Sequence, residues 1–269
     1  MAHSAEHSRV FRGLHQNGIL LLANAWDAGS AKLIEKQGAK AIATTSAGVA
    51  WSLGYPDGDA LPLAKLADAV ANIARVLRIP LTTDMESGYS DDPSVVADNA
   101  LRLIEAGAVG INLEDGSGTP ALPCAKIEAI KNAAAKAGVE LFVNARTDVY
   151  LAGLAPEPRR VEETLSRGRS YRDAGADGFF VPGVVAEADI RAIAADVDLP
   201  LNVMTRPALP DAATLESWGV RRLSAGPFLT ASAYARVAAL SKRFLADGLS
   251  APLAEDAMAY SEINGWFPG

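Results

Sequence analysis

Histidine is nearly missing from this sequence. Its three histidines, His3, His7 and His15, all lie within the first fifteen of 269 residues. The body of the chain therefore has no imidazole to bind a metal or relay a proton. A metal centre there must use oxygen ligands, which favours Mg²⁺ or Mn²⁺ over Zn²⁺. Acid–base work falls to Asp, Glu, Tyr, Lys, Cys or metal-bound water. Cysteine is scarcer still: Cys124 stands alone, which excludes an internal disulfide framework. No apolar run approaches the roughly 20 residues needed to span a bilayer. No opening segment joins a charged start, an apolar core and a cleavage site, so the chain is expected in the cytoplasm. Positive charge is in deficit, with 25 Lys and Arg against 32 Asp and Glu and a net charge of −7. No basic run offsets this, so nucleic acid is not expected as a partner.

What remains is enough for a full core: 49% of residues are hydrophobic and 21% charged. Short apolar runs recur at near-regular spacing. They predict strands at 18–23, 41–45, 81–84, 110–113, 141–145, 178–181, 201–204 and 220–224. Helical patterns follow each, near 28–37, 62–78, 93–107, 123–137, 158–174, 187–196, 211–218 and 227–245. Residues 1–17 are polar and show no clear core pattern. Apolar strands alternating with helices indicate a parallel sheet buried on both faces. Eight such units make a (β/α)8 barrel, an α/β fold of one domain, 1–269, with an extra C-terminal helix. An open doubly wound sheet is the alternative, but no G-x-G-x-x-G follows the first strand. Residues 246–269 form a helical tail available for exchange between subunits.

In a barrel the chemistry lies where the strands end. Strand three runs into Asp84-Met85-Glu86, and alternation puts Asp84 and Glu86 on one side. Strand four ends in Glu114-Asp115, and Asp57 follows Gly54-Tyr55-Pro56. Carboxylates gathered at one rim repel each other unless a cation sits among them, so these residues predict a divalent cation site. Arg146, at the end of strand five, can hold a carboxylate bidentately or neutralise Glu114 and Asp148. The amides of the small-residue turn Ser46-Ala47-Gly48 can grip a second carboxylate or an enolate oxygen. Asn202, in the seventh strand's terminal set, joins the substrate contacts. Asp115 and Asp148 are equally well read as loop ion pairs.

Several motifs resemble the isocitrate lyase / phosphoenolpyruvate mutase superfamily over about residues 10–245. They are Asn24-Ala25-Trp26-Asp27-Ala28-Gly29-Ser30-Ala31, Ser52-Leu53-Gly54-Tyr55-Pro56-Asp57 and Asp84-Met85-Glu86-Ser87-Gly88-Tyr89. Leu113-Glu114-Asp115, Asn144-Ala145-Arg146-Thr147-Asp148 and Phe180-Val181-Pro182-Gly183 complete the set. The resemblance implies Mg²⁺-dependent breaking or making of C–C or P–C bonds in 2-oxo acids. It implies Asp57, Asp84, Glu86 and Glu114 as metal-site residues, some through water, and Thr45, Ser46, Ala47, Gly48 and Arg146 as substrate contacts. Arg146 and Glu114 are the expected catalytic pair. A homo-oligomer, a tetramer by resemblance, is also implied. Glu86 stands where many members have Asp.

One departure matters. The lyases of that superfamily carry a mobile loop with a Lys-Lys/Arg-Cys-Gly-His motif. Here the corresponding stretch is Gly116-Ser117-Gly118-Thr119-Pro120-Ala121-Leu122-Pro123-Cys124-Ala125-Lys126, without the basic pair or the Gly-His. Cys124 is therefore expected in the first turn of a helix, as a structural residue. The leading expectation is cleavage of a C–C bond in a small 2-oxo acid through a metal-stabilised enolate. P–C chemistry, or decarboxylation or hydrolysis of an oxaloacetate-like acid, uses the same site. A barrel that only binds a carboxylate metabolite is a third possibility.

Overall fold

Nine strands, all parallel, line up in one sheet. They are β1 (Leu20–Leu22), β2 (Asn24–Ala25), β3 (Ile42–Thr44), β4 (Leu81–Asp84) and β5 (Gly110–Glu114). Then come β6 (Phe142–Arg146), β7 (Gly178–Phe180), β8 (Leu201–Met204) and β9 (Val220–Ser224). The computed structural model describes residues 2–267; residues 1, 268 and 269 of the expected domain lie outside the described residues. The sheet order is β1-β9-β8-β7-β6-β5-β4-β3-β2. β1 pairs with β9 and β2 with β3, so one stretch, interrupted at Ala23, closes the barrel from both sides. The expected first strand, 18–23, is shortened to β1, and after a break at Ala23 the chain pairs again in β2, beyond the expected strand. Asn24 explains the break, because its side chain clasps the seam. It donates to the Thr44 carbonyl at 2.7 Å and accepts from the Gly226 N–H at 2.9 Å.

The helices are α1 (Ala2–Gly13), α2 (Ala28–Lys36), α3 (Ser46–Ser52), α4 (Leu63–Val76), α5 (Pro93–Glu105) and α6 (Ala121–Lys136). They continue with α7 (Arg160–Asp173), α8 (Glu187–Asp196), α9 (Ala212–Ser217), α10 (Phe228–Asp247), α11 (Ala251–Ala254) and α12 (Tyr260–Asn264). Local chemistry sets their starts. Asp27 caps α2 by accepting from the Ser30 N–H at 2.6 Å, and the Ser30 hydroxyl accepts from the Asp27 N–H at 3.1 Å. Such a cap is worth about 1 kcal/mol. Asp92 caps α5 ahead of Pro93, whose missing N–H is harmless there. Leu66, Val70 and Ile73 of α4 are buried at helical spacing against the barrel.

Two expectations need correction. The N-terminal segment has a core face after all. Phe11 and His15, one turn apart on and just beyond α1, both pack against Phe142, with His15 stacked at 4.3 Å. They plug the barrel where β5 and β6 begin, opposite the rim where the strands end. Burial and the Arg222 charge push His15 down to about pKa 3, so it sits there neutral. Only a few residues face inward, too few to show as a pattern in a polar segment. The second correction concerns the first strand, which is not covered on both faces: Leu21 is 53% exposed. α10 packs beside β2 but buries little of its own length against the barrel. Thr230 is its only buried residue, while Val237 and Leu245 are 60% and 82% exposed.

Candidate active site

Three asparagines form a belt inside the barrel, one on each of β5, β6 and β8. Asn144 donates to Asn112 Oδ1 at 2.9 Å and to Asn202 Oδ1 at 3.1 Å. Asn202 is fully buried and donates to the Arg222 carbonyl and the Ser224 hydroxyl. Arg222 Nη2 in turn reaches Asn112 Oδ1 at 3.1 Å. The structure therefore places Asn202 in this belt, with its amide occupied. Two residues beyond Asn112 and Asn144, on the same strand faces, come Glu114 and Arg146. They are direct partners across the β5–β6 ladder.

Arg146 is the hub of the rim. Its Nη1 meets Glu114 Oε2 at 2.6 Å, and its Nε and Nη2 meet the two Asp148 oxygens at 2.7 and 3.0 Å. Burial works against its charge, but Glu114 and Asp148 outweigh that and hold its pKa above the ordinary value. Asp148 is fixed from behind. Its backbone N–H donates to Asp115 Oδ1 at 3.0 Å, and Asp115 Oδ2 accepts from Arg167 at 2.8 Å and Tyr171 at 2.7 Å. Asp115 is thus a buttress. Arg167 and Tyr171, one turn apart on α7, escaped the sequence reading because nothing links that spacing to β5.

Asp84 ends β4 and is buried. Its carboxylate accepts from the Glu86 N–H at 3.2 Å. Burial raises its pKa, Arg146 and the Glu86 and Ser46 amides oppose that rise, and the Asp57 charge adds to it. Asp57 itself is exposed, on the loop between α3 and α4. Glu86 departs from the expected alternation. The strand stops at Asp84, and Glu86 takes a left-handed φ of +49°. That conformation costs a non-glycine residue roughly 1–2 kcal/mol. Its carboxylate turns to the Asp59 N–H and to the Tyr89 hydroxyl, the latter at 3.1 Å. Burial, followed by the charges of Asp84 and Asp59, raises its pKa against the pull of the Asp59 amide.

The expected turn at 46–48 is instead the first turn of α3, entered from Thr45. Thr45, Ala47 and Gly48 are buried. Gly48 has no room for a side chain: an added Cβ would lie 2.6 Å from both Thr230 Oγ1 and Thr45 Cγ2. Cys124 lies in the first turn of α6, where its N–H meets the Pro120 carbonyl and its thiol meets the Ser170 carbonyl at 3.5 Å. Burial, with the charges of Glu128 and Asp173, raises the thiol pKa, the opposite of an activated cysteine. Cys124→Ser is accordingly expected to change turnover by less than roughly tenfold, well short of the 10²–10⁴-fold typical of an acid–base group. A hundredfold loss with the fold intact would contradict this placement.

Glu114 gives the site a pH signature. Burial pushes it up to about pKa 8 despite Arg146, with Asp84, Asp148 and Glu86 adding to the rise. The folded state then binds a proton that the unfolded chain releases at its ordinary 4.5. The stabilisation is fully present below that value and lost as pH rises through the folded pKa. The melting temperature of EDTA-treated protein is expected to fall between about pH 5 and 8, and a saturating divalent cation to flatten the curve. A metal-free protein that gains stability across that interval would contradict the clustering.

A parallel β/α barrel with carboxylates gathered around Arg146 at its strand-end rim has the form of a β/α-barrel enzyme. The chain belongs to the phosphoenolpyruvate phosphomutase family, whose model matches residues 11–245. Members of the wider phosphoenolpyruvate mutase/isocitrate lyase superfamily are lyases and mutases. An uncharacterized protein of Mycobacterium tuberculosis (strain H37Rv) is 39% identical over 266 residues, covering 94% of each chain. An oxaloacetate decarboxylase of Paraburkholderia xenovorans is 31% identical over 238 residues, covering 83% of this chain and 77% of its own length. A solved structure from Burkholderia cenocepacia J2315, proposed to be a phosphonomutase, superposes with a TM-score of 0.84 at 43% identity. It covers 88% of this chain and 99% of that one.

Proposed function

We propose that this protein cleaves a C–C bond in a small 2-oxo acid, with Mg²⁺ or Mn²⁺ at the rim. The observation that carries the reading is the Glu114–Arg146 pair beside Asp84: largely buried carboxylates around the Arg146 guanidinium, all at strand ends. Among the described residues no three carboxylates close on one point to cage an ion. Mg²⁺ does not need such a cage, because it keeps several waters and binds through one or two carboxylates plus the substrate. Asp84 is the direct ligand in this reading, with Glu114, Glu86 and Asp57 acting through water. When bound, the ion supplies positive charge as an enolate develops. Arg146 keeps N–H groups free for the substrate carboxylate, and Glu114 and Asp148 hold its plane. Thr45 and the amides of Ser46, Ala47 and Gly48 close the opposite side.

Two features narrow the chemistry. The segment after Glu114 has no acid–base cysteine, because Cys124 is tied into α6. Decarboxylation of an oxaloacetate-like acid suits such a site, since CO₂ leaves without a proton and the pyruvate enolate can take one from water. The likeness to a decarboxylase supports it. P–C rearrangement is the second reading, favoured by the phosphonomutase likeness. Turnover of oxaloacetate, 2-methylisocitrate-like acids and phosphonopyruvate, with and without Mg²⁺, separates them. C–C cleavage is expected with the ion and none after chelation. Binding of all three without turnover would overturn the enzymatic reading. The apolar, uncovered α10 and the bare Leu21 support a homo-oligomer in which α10 and the 246–269 tail cover another copy. No helix among the described residues is long and apolar enough to cross a membrane.

A further inference from the structure

Two jaws meet beside the rim, and Glu86 joins them. One jaw is the turn 85–89, braced from behind. Asn99 Nδ2 donates to the Gly88 carbonyl at 3.0 Å and Lys126 Nζ to the Ser87 carbonyl at 2.9 Å. The Glu114 N–H donates to the Glu86 carbonyl at 2.9 Å. The other jaw is loop 56–60, exposed throughout. Its ends are tied by the Tyr55 N–H, which donates to the Ala50 carbonyl at 2.9 Å, and by buried Leu61. Between those ends Asp59 carries the contact to the barrel. Its N–H donates to Glu86 Oε2, and its carboxylate accepts from the Ser87 hydroxyl at 2.5 Å. The Tyr89 hydroxyl holds the other Glu86 oxygen.

The backbone singles out the same three residues. Among the described residues, Asp59, Glu86 and Tyr89 are three of the four non-glycine positions with positive φ, at +56°, +49° and +63°. Such strain persists only where the surroundings over-determine it, and it gathers at working sites. Here the strained residues are one carboxylate and its two donors. Loop 56–60 also carries Asp57, whose charge is felt at Asp84.

We propose that Glu86 is a positioning residue whose carboxylate latches loop 56–60, which carries Asp57, onto the 85–89 turn that follows Asp84. The metal-and-enolate reading supplies only the purpose of the latch, not its contacts. Two variants test it. Glu86→Asp shortens the arm by one methylene, so it cannot span both donors. Tyr89→Phe removes one donor and leaves every carboxylate in place. Hydrogen exchange in residues 56–60 of metal-free protein is expected to quicken by about tenfold or more in Glu86→Asp and severalfold in Tyr89→Phe, with other segments unchanged. Mn²⁺ binding, followed by electron paramagnetic resonance, is expected to weaken severalfold in Tyr89→Phe as well as in Glu86→Asp. Unchanged exchange in both variants overturns the latch. Faster exchange with unchanged Mn²⁺ affinity overturns its positioning role. Should the parent chain bind no Mn²⁺, the functional reading falls, and exchange alone decides the latch.

Discussion

Asp84→Asn is expected to lower turnover of the 2-oxo acid by about 10³-fold, the scale of losing a key electrostatic contact to a developing oxyanion. The same change is expected to leave the metal-free melting temperature unchanged or to raise it. Asp84 is buried, ends its strand without a basic partner in contact, and has its pKa raised chiefly by burial. Raising a carboxylate's pKa means that the folded state disfavours the charge at neutral pH. A neutral amide of the same shape removes that penalty. Calorimetry in EDTA reads the stability, and single-turnover kinetics read the activity. A fall of more than about 5 °C, worth over 1 kcal/mol in a chain of this size, would make Asp84 a structural residue.

Arg146 should behave in the opposite way. Arg146→Gln removes the one cation between Glu114 and Asp148, each partner at 2.6–2.7 Å and largely buried. Breaking a buried pair costs about 3–5 kcal/mol because a charge is left uncompensated. The metal-free melting temperature is expected to drop by roughly 10 °C, and kcat/KM by at least about 10²-fold. Arg146→Lys separates the two effects. It restores the charge, and most of the stability with it. It cannot restore the fork that holds Asp148 at two points, so activity should stay low. A fully active lysine variant would show that Arg146 serves only as a counter-charge.

The barrel was legible in the sequence because its signal is repeated. Runs such as 81–84, 201–204 and 220–224 keep their boundaries in the structure. The rim was legible because strand ends are marked by a change from apolar to charged residues. Three things were not. α1 places only Phe11 and nearby residues in the core, and a single aromatic has no period. The turn of Glu86 toward Asp59 depends on a left-handed backbone that strand alternation does not anticipate. The buttress from Arg167 and Tyr171 to Asp115 joins residues more than fifty positions apart. The asparagine belt did leave a trace: Asn112, Asn144 and Asn202 each interrupt an apolar strand, and such a polar residue inside a barrel must find partners there.

In the proposed function Asp84 and its neighbours hold a divalent ion next to an arginine that grips a 2-oxo acid. A Mn²⁺ titration followed by electron paramagnetic resonance, with and without oxalate as a planar mimic of the pyruvate enolate, tests this most directly. One ion should bind per chain near pH 8, about tenfold more tightly with oxalate, since a ligand that shares the ion adds its own coupling free energy. Asp84→Asn should abolish the binding, and Arg146→Lys should abolish the gain from oxalate. No stoichiometric Mn²⁺ in the parent chain, or binding indifferent to Asp84→Asn, would contradict the account.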